Sequence, residues 1–303
     1  MVSKNIFTSK IGKSVKIMCS ENCKIISDDG MIQAFSKERI PYQPQDWRKE
    51  FRNALRCALS QLTPFTEGQY LMACYYGTGT GSFDLENVLF YNIGSAPFRP
   101  FAANRIFAEN CSHQETKTTD EGAEYPHRYV YKICDSENQT DFWGKHTLAA
   151  EWESLSVPVS LSSNKAVVYW RALRENPEKV HSYHKLQGSS FGVKIKLSVP
   201  KTKTVNLTSV VKPMLDGVIC AFHSADQCLQ KESSLIASRL GVPKQQLLSS
   251  DNDILGACRF IYPYRENSVK WNPQDNRCFA FEIEVEHNDD GSCRFSGGIY
   301  DLS

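Results

Sequence analysis

The fold is decided by two stretches of sequence, YLMACYYGTGTGSFDLENVLFYNIG (residues 70–94) and GVKIKLSVPKTKTVNLTSVVKPMLDG (residues 192–217). Each begins with an apolar run typical of a strand, continues through a turn rich in glycine or lysine, and ends in a segment with helical spacing. An offset of 122 residues aligns their apolar helix positions, pairing Leu85 with Leu207, Val88 with Val210, Leu89 with Val211 and Ile93 with Leu215. The pattern predicts two copies of one α/β unit.

The chain has 303 residues, which is long enough for two such units. We expect an α+β fold with two similar halves, each a mixed β-sheet with packed helices. Residues 154–165 are rich in serine and contain a proline, so the halves are predicted at residues 1–160, which include N-terminal strands, and 161–303.

Periodicity and turn residues place the remaining elements. Asp46 is a plausible N-cap for a helix that ends near Leu59. Further helices are predicted at residues 85–93, 207–222 and 232–240. Further strands are predicted at residues 14–18, 23–27, 31–35, 128–133, 166–172, 254–261, 278–286 and 292–296, the last two forming a hairpin over Asp289–Gly291.

The composition excludes several classes of protein. Hydrophobic residues make up 41% of the chain and charged residues 23%, which excludes a disordered chain, a collagen-like fibre and a coiled coil. No apolar run approaches the roughly 18–20 residues of a membrane span. Residues 1–16 lack the apolar segment of a secretory signal, so we expect a cytoplasmic protein. The eleven cysteines, Cys74 among them, are then small core residues rather than disulfide partners.

Charge alternates along the chain although the net charge is only +1. Residues 161–220 hold 10 Lys or Arg and 3 Asp or Glu, whereas residues 221–303 hold 8 and 12. One interpretation is a basic face that binds DNA or RNA. The other is that oppositely charged segments pack against each other. The candidate nucleic-acid-binding residues are Lys194, Lys196, Lys201 and Lys203.

The second stretch resembles the RusA-type Holliday-junction resolvases. In that family a strand and a basic turn precede Asp-x-Asp-Asn-Leu-x-x-Lys, which opens a helix that continues into Leu-Asp-Ala/Gly. A later Asp-Asp-x-Gln-Ile/Val starts another strand. Here Lys212–Gly217 matches the helix, Ser250–Ile254 resembles the later acidic stretch, and Asn206–Ser209 takes the first acidic position. In the first stretch Asp84–Asn87 carries the acids, while Phe90 stands at the lysine position.

The resemblance implies a Mg²⁺-dependent, structure-selective endonuclease of prokaryotic or phage origin, acting on nucleic acid and not on a membrane. Carboxylates around Mg²⁺ would activate water and offset charge in the transition state. The family works as a dimer, which two repeats in one chain would mimic as a pseudo-dimer. Neither half keeps both acids and lysine, so degenerate catalysis is expected. The implied metal ligands are Asp84 and Glu86, and the implied catalytic set is Asp84, Glu86, Lys212, Asp251 and Asp253.

Other functions also fit the sequence. A noncatalytic protein could bind nucleic acid or a protein partner through the basic residues of 161–220. A protein of a phage or phage-defence system could sense a nucleotide with the loop Gly77–Ser82, although its spacing matches neither Gly-x-Gly-x-x-Gly nor a P-loop. For Asp84 and Glu86, the structural alternative is a helix N-cap followed by a first-turn acid.

Overall fold

The computed structural model of the chain describes residues 10–11, 14–28, 30–62, 68–77, 83–100, 103–112, 125–135, 141–161, 165–186 and 190–303. The chain forms two compact units. The first contains Met1–Thr140 together with Asn206–Thr208, and the second contains Asp141–Val205 together with Ser209–Ser303. Both units combine helices with mixed β-sheet, so the predicted α+β class is confirmed.

The first unit is built on seven strands with one long helix, α1 (Asp46–Ser60), and a π-helical turn (Asn87–Tyr91). The described strands are β1 (Lys10–Ile11), β2 (Ser14–Cys19), β3 (Cys23–Asp28), β4 (Met31–Ser36), β5 (Gln69–Gly77), β6 (Arg105–Asn110) and β7 (His127–Asp135). Their order in the sheet is β1-β2-β3-β4-β7-β5-β6. Strand β7 is antiparallel to β4 and β5, whereas β5 and β6 are parallel.

Helix α1 shows why this unit folds as it does. Phe51, Leu55, Ala58 and Leu59 recur at helical spacing and are all buried, as the sequence predicted. The Phe51 ring lies 6.3 Å from that of Tyr129 on β7. Burying a phenylalanine or leucine side chain contributes roughly 1.5–3 kcal/mol, so this face holds the helix on the sheet.

The described sheet strands of the second unit are β8 (Thr147–Val157), β9 (Val180–Ser182), β10 (Phe191–Pro200), β15 (Cys278–Asn288) and β16 (Cys293–Asp301). They lie in the order β15-β10-β16-β8-β9. Strand β10 is parallel to β15 and antiparallel to β16, which in turn is antiparallel to β8. Two short pairs are formed by β11 (Ser224–Ala225) with β12 (Ala257–Cys258) and by β13 (Ile261–Tyr264) with β14 (Ser268–Trp271).

Within the described residues of the second unit, four α-helices accompany the sheet. They are α2 (Ala166–Glu175), α3 (Leu207–Ala221), α4 (Gln227–Leu240) and α5 (Lys244–Leu248), with the first two residues of α3 grouped with the first unit. Helix α4 ends where the sequence predicted, because Gly241 adopts a left-handed conformation with φ of 65°. No helix within the described ranges combines the length and apolar character needed to cross a membrane.

Four strands of each unit follow one order in the sheet. They are β4, β5, β6 and β7 in the first unit and β8, β10, β15 and β16 in the second, and in each set the last strand lies between the first and the second. A helical segment follows the first and the second strand of each set, whereas β1–β3, β9, β11–β14, α4 and α5 have no counterpart among the described residues. The strands that correspond are β4 with β8, β5 with β10, β6 with β15 and β7 with β16. The offset of 122 residues places β5 on β10, and it places Asp84, before the helical residues at 85–91, on Asn206, before α3.

Several sequence predictions differ from the structure. Residues 166–172 form the start of α2 rather than a strand: Val167 and Val168 favour a strand locally, but Tyr169, Trp170 and Leu173 are buried together only on a helix. Residues 254–261 contain only the two residues of β12 and the first residue of β13 as strand. Asp46 is the first residue of α1 rather than its N-cap, which is Gln45.

Two long-range features also differ from the predictions. Strands β15 and β16 are not a hairpin, because β10 lies between them and pairs with both. Residues 141–160 belong to the second unit rather than the first half, because β8 forms its ladder with β16. Both differences arise from pairing between segments far apart in sequence, which local patterns do not encode.

Candidate functional site

A pair of carboxylates marks the start of the helical segment that follows β5. Asp84 precedes this segment and Glu86 lies in its first turn. A side-chain oxygen of Asp84 lies within 4.8 Å of one from Glu86. Glu86 is buried, with 1% of its surface exposed, whereas Asp84 is half-buried. Carboxylate oxygens at this separation could hold a metal ion.

The local backbone fixes the orientation of Asp84. The Asn87 side-chain amide donates a hydrogen bond to Asp84 Oδ2 at 2.5 Å, and the backbone N–H of Val88 donates to the Asp84 carbonyl at 3.1 Å. The segment then widens into the π-helical turn Asn87–Tyr91. Such π-helical turns are rare and are frequently found at functional sites. The Asn87 contact is compatible with metal binding, because a carboxylate keeps acceptor capacity beyond one hydrogen bond.

The corresponding position in the repeat, before α3, has different chemistry. Asn206 and Thr208 replace the two acids, and Thr208 Oγ1 donates to Asn206 Oδ1 at 2.8 Å. Asn206 Nδ2 donates to the Ser95 carbonyl at 3.3 Å. Ser95 follows the helical segment that begins beside Asp84, so within the first unit Asn206 contacts the end of that segment. An amide and a hydroxyl lack the negative charge that binds a divalent cation tightly.

Lys212 lies on α3 in the second unit, between two carboxylates. Its Nζ is 3.4 Å from Asp216 Oδ1 and 3.7 Å from Asp275 Oδ2, and Asp275 is buried. Asp216, in the Leu-Asp-Gly motif, is four residues after Lys212, a spacing that brings two side chains together on a helix. Asp275 was missed because no local pattern links it to Lys212.

Asp251 and Asp253 lie in the loop after α5, where their side chains accept hydrogen bonds from residues in and around the loop. Asp253 accepts hydrogen bonds from Lys185 Nζ at 3.0 Å, Ser224 Oγ at 3.1 Å and the Gly256 N–H at 2.8 Å. Burial would raise the pKa of Asp253, but these donors outweigh it and the pKa is lowered. Asp251 is exposed and accepts a hydrogen bond from Ser249 Oγ at 2.8 Å.

Three of the four predicted basic residues of the second unit lie beside acids. Lys194 Nζ lies 3.9 Å from Glu282 Oε1, and Lys196 Nζ lies 2.5 Å from Glu286 Oε1. Lys201 pairs with Asp289 at 2.9 Å, and Lys203 is exposed in the turn after β10. The parallel pairing of β10 with β15 creates the first two contacts. Here the oppositely charged segments pack against each other, the second of the two interpretations of the charge pattern.

The glycine-rich loop is only partly described. Gly77 ends β5, and its N–H donates to Ser112 Oγ at 3.2 Å, whereas residues 78–82 lie outside the described residues. A Cβ on Gly77 would lie 2.7 Å from Tyr75 Oη, so a larger residue there would require the Tyr75 ring to shift. No family model, curated protein or solved structure matches this chain.

Proposed function

We propose that this protein binds nucleic acid with the help of a divalent cation held by Asp84 and Glu86. The observation that carries this proposal is the close approach of the two carboxylates at the start of the helical segment, one of them buried. Carboxylate oxygens are the ligands that a hard divalent cation prefers, and a cation held by them can also bind phosphate oxygens.

The donor set supports Mg²⁺ as the cation. Mg²⁺ is commonly bound by one or two carboxylates, with waters and substrate phosphates completing its coordination. When bound, it would neutralise phosphate charge and polarise a water molecule. The roles of this chain's own residues are simpler: Asp84 and Glu86 supply the oxygens, and Asn87 orients Asp84.

The similar strand order of the two units supports an internal duplication. The relationship to the RusA-type resolvases rests on the sequence resemblance at Lys212–Gly217 and Ser250–Ile254. In each unit a parallel strand pair is connected through a helix, and the residue before that helix is Asp84 or Asn206. Only the first position keeps its carboxylates. Lys212, the catalytic lysine implied by the resemblance, is held by Asp216 and Asp275. We therefore propose cation-assisted binding of branched nucleic acid, with loss of cleavage.

A binding assay tests this proposal. Fluorescence anisotropy with a labelled four-way junction should show that Mg²⁺ tightens binding at least about tenfold at constant ionic strength, since a bound cation bridges protein and phosphate. The same titration with Ca²⁺ in place of Mg²⁺ measures binding without cleavage, because Ca²⁺ does not support hydrolysis in most nucleases. Gel analysis of the same samples detects any cleavage.

Matched variants make the assay specific. Asp84→Asn and Glu86→Gln should remove the effect of Mg²⁺, while Asp46→Asn, an exposed first-turn acid of α1, should keep it. The proposal fails if Mg²⁺ leaves binding by the unmodified protein unchanged, or if all three variants respond to it alike. If the protein cleaves the junction and Asp84→Asn abolishes that cleavage, the protein is an endonuclease rather than a noncatalytic binding protein.

A further inference from the structure

A second group of potential ligands lies on the sheet of the first unit, on different residues. The parallel register of β5 and β6 places Cys74 directly beside Glu109, so their side chains project from the same face. Cys111 follows two residues after Glu109 and therefore points to that face as well. The N–H of Cys111 donates to the Tyr75 carbonyl at 2.7 Å, which continues the ladder and fixes its position.

The three side chains converge closely. One sulfur from each cysteine and one carboxylate oxygen of Glu109 all lie within 4.8 Å of one another. Both cysteines are 5% exposed, and Glu109 is half-buried. The pKa of the Cys74 thiol is raised, first by its hydrogen bond to Cys111 and to a smaller extent by burial, which agrees with direct contact between the two thiols.

Apolar packing accounts for only part of this arrangement. Val130 belongs to the same buried cluster as the two cysteines, and Met31, Met72 and Tyr76 pack against it. Two thiols in such surroundings would ordinarily be small core residues. The Glu109 carboxylate, within 4.8 Å of both sulfurs, adds a charged oxygen donor to them and makes a set of three metal donors.

We propose that Cys74, Cys111 and Glu109 bind a thiophilic divalent cation of the Zn²⁺ class. Zinc takes cysteine sulfur and carboxylate oxygen in tetrahedral sites, with Zn–S bonds of about 2.3 Å that separate two sulfurs by roughly 3.8 Å. The three donor atoms, all within 4.8 Å of one another, are therefore close enough to share one ion. Three protein ligands leave a fourth position for water or another ligand on the half-buried side, near Glu109.

The chemistry of the donors separates this site from the Asp84–Glu86 pair. Two sulfurs favour soft or borderline cations such as Zn²⁺, whereas two carboxylates favour Mg²⁺. The positive charge of Arg128 lies 4.9 Å above the Tyr76 ring at the edge of the cluster. Two thiolates and a carboxylate around Zn²⁺ carry one net negative charge, which that guanidinium would offset.

Cobalt titration of the full chain tests the site, with Co²⁺ as a spectroscopic substitute for Zn²⁺ and a non-thiol reductant present. We expect one equivalent of Co²⁺ to produce thiolate-to-metal charge-transfer absorption and tetrahedral d–d bands, which one equivalent of Zn²⁺ then abolishes. Cys74→Ser and Cys111→Ser should each weaken binding by at least about 100-fold, more than loss of a supporting residue costs. The control Cys57→Ser/Cys228→Ser removes two exposed thiols and should bind as the unmodified protein does.

Glu109→Gln covers the case in which a core cysteine variant fails to fold. This half-buried position tolerates an amide, and the loss of the carboxylate should weaken Co²⁺ binding at least about tenfold while the charge-transfer band persists. The proposal is overturned if the protein shows no thiolate–Co²⁺ band, or if folded Cys74→Ser protein keeps the full band. It is also overturned if Glu109→Gln binds Co²⁺ as tightly as the unmodified protein.

Discussion

Gly217 of α3 lies against the backbone carbonyl of Ala166 at the start of α2, with no room for a side chain between them. A Cβ added at Gly217 would also lie 2.9 Å from Tyr169 Cβ, and these neighbours are backbone or the base of a side chain. The close approach of the two helices explains why Gly217 stands inside α3, where glycine is otherwise unfavourable.

Gly217→Ala should therefore destabilise the protein. Helix propensity alone would make alanine more stable by roughly 0.5–1 kcal/mol. Overpacking costs typically about 1–3 kcal/mol, so we expect a net loss of about 1–2 kcal/mol. Urea unfolding followed by circular dichroism measures this difference. Gly217→Val should lose more than Gly217→Ala, and an alanine variant as stable as the unmodified protein would contradict the close packing.

His127 should make stability depend on pH. Its Nδ1 lies 2.8 Å from Tyr75 Oη, and burial, with a smaller contribution from the charge of Arg39, lowers its pKa to about 4. In the unfolded chain the pKa is about 6.5, so the unfolded state binds more protons between these values. Stability from this group is therefore complete above pH 6.5 and is lost as the pH falls toward 4.

Between pH 7 and pH 5 the free energy of unfolding should fall by about 1 kcal/mol. The decrease is no larger because solvent screens the charge of a partly buried ring. His127→Gln removes the titrating group and should flatten this part of the pH profile by that amount. Urea unfolding of both proteins at the two pH values measures it. An identical pH dependence in the variant would show that His127 does not titrate as its surroundings predict.

The ion pairs of β10 predict a weak role for its lysines in nucleic-acid binding. A lysine that neutralises a phosphate contributes about 0.9 to the slope of log K against log salt. Because Lys194 and Lys196 already face Glu282 and Glu286, Lys194→Gln/Lys196→Gln should reduce that slope by less than about 1. Anisotropy titrations over a series of KCl concentrations measure the slope.

The control for this double variant is Lys179→Gln/Lys231→Gln, which removes the same charge from exposed positions in the second unit. Similar slopes for the two double variants are expected. A reduction of about 2 that is confined to the β10 variant would mean that both strand lysines contact phosphate directly, and would restore the predicted basic face.

Local patterns predicted several elements well. The alternation of Val193, Ile195 and Leu197 with polar residues predicted β10, and the spacing of Phe51, Leu55 and Leu59 predicted α1. Period 2 and period 3.6 arise from single strands and helices, so they can be read without knowing the partner. The strand predicted at residues 166–172 is wrong, because β-branched residues raise local strand propensity whereas burial against the rest of the unit selects a helix.

For the candidate sites, the sequence by itself determined the carboxylates at Asp84 and Glu86, because two acids separated by one residue at a helix start are a local feature. Only the tertiary structure decided that Cys74 meets Glu109 and Cys111, that Lys212 lies beside Asp275, and that β10 separates β15 from β16. Strand pairing brings Cys74 to Glu109 and separates β15 from β16, while helix packing brings Lys212 to Asp275, in each case between groups 35 or more positions apart. Strand register follows from burial of whole sheet faces rather than from any short motif.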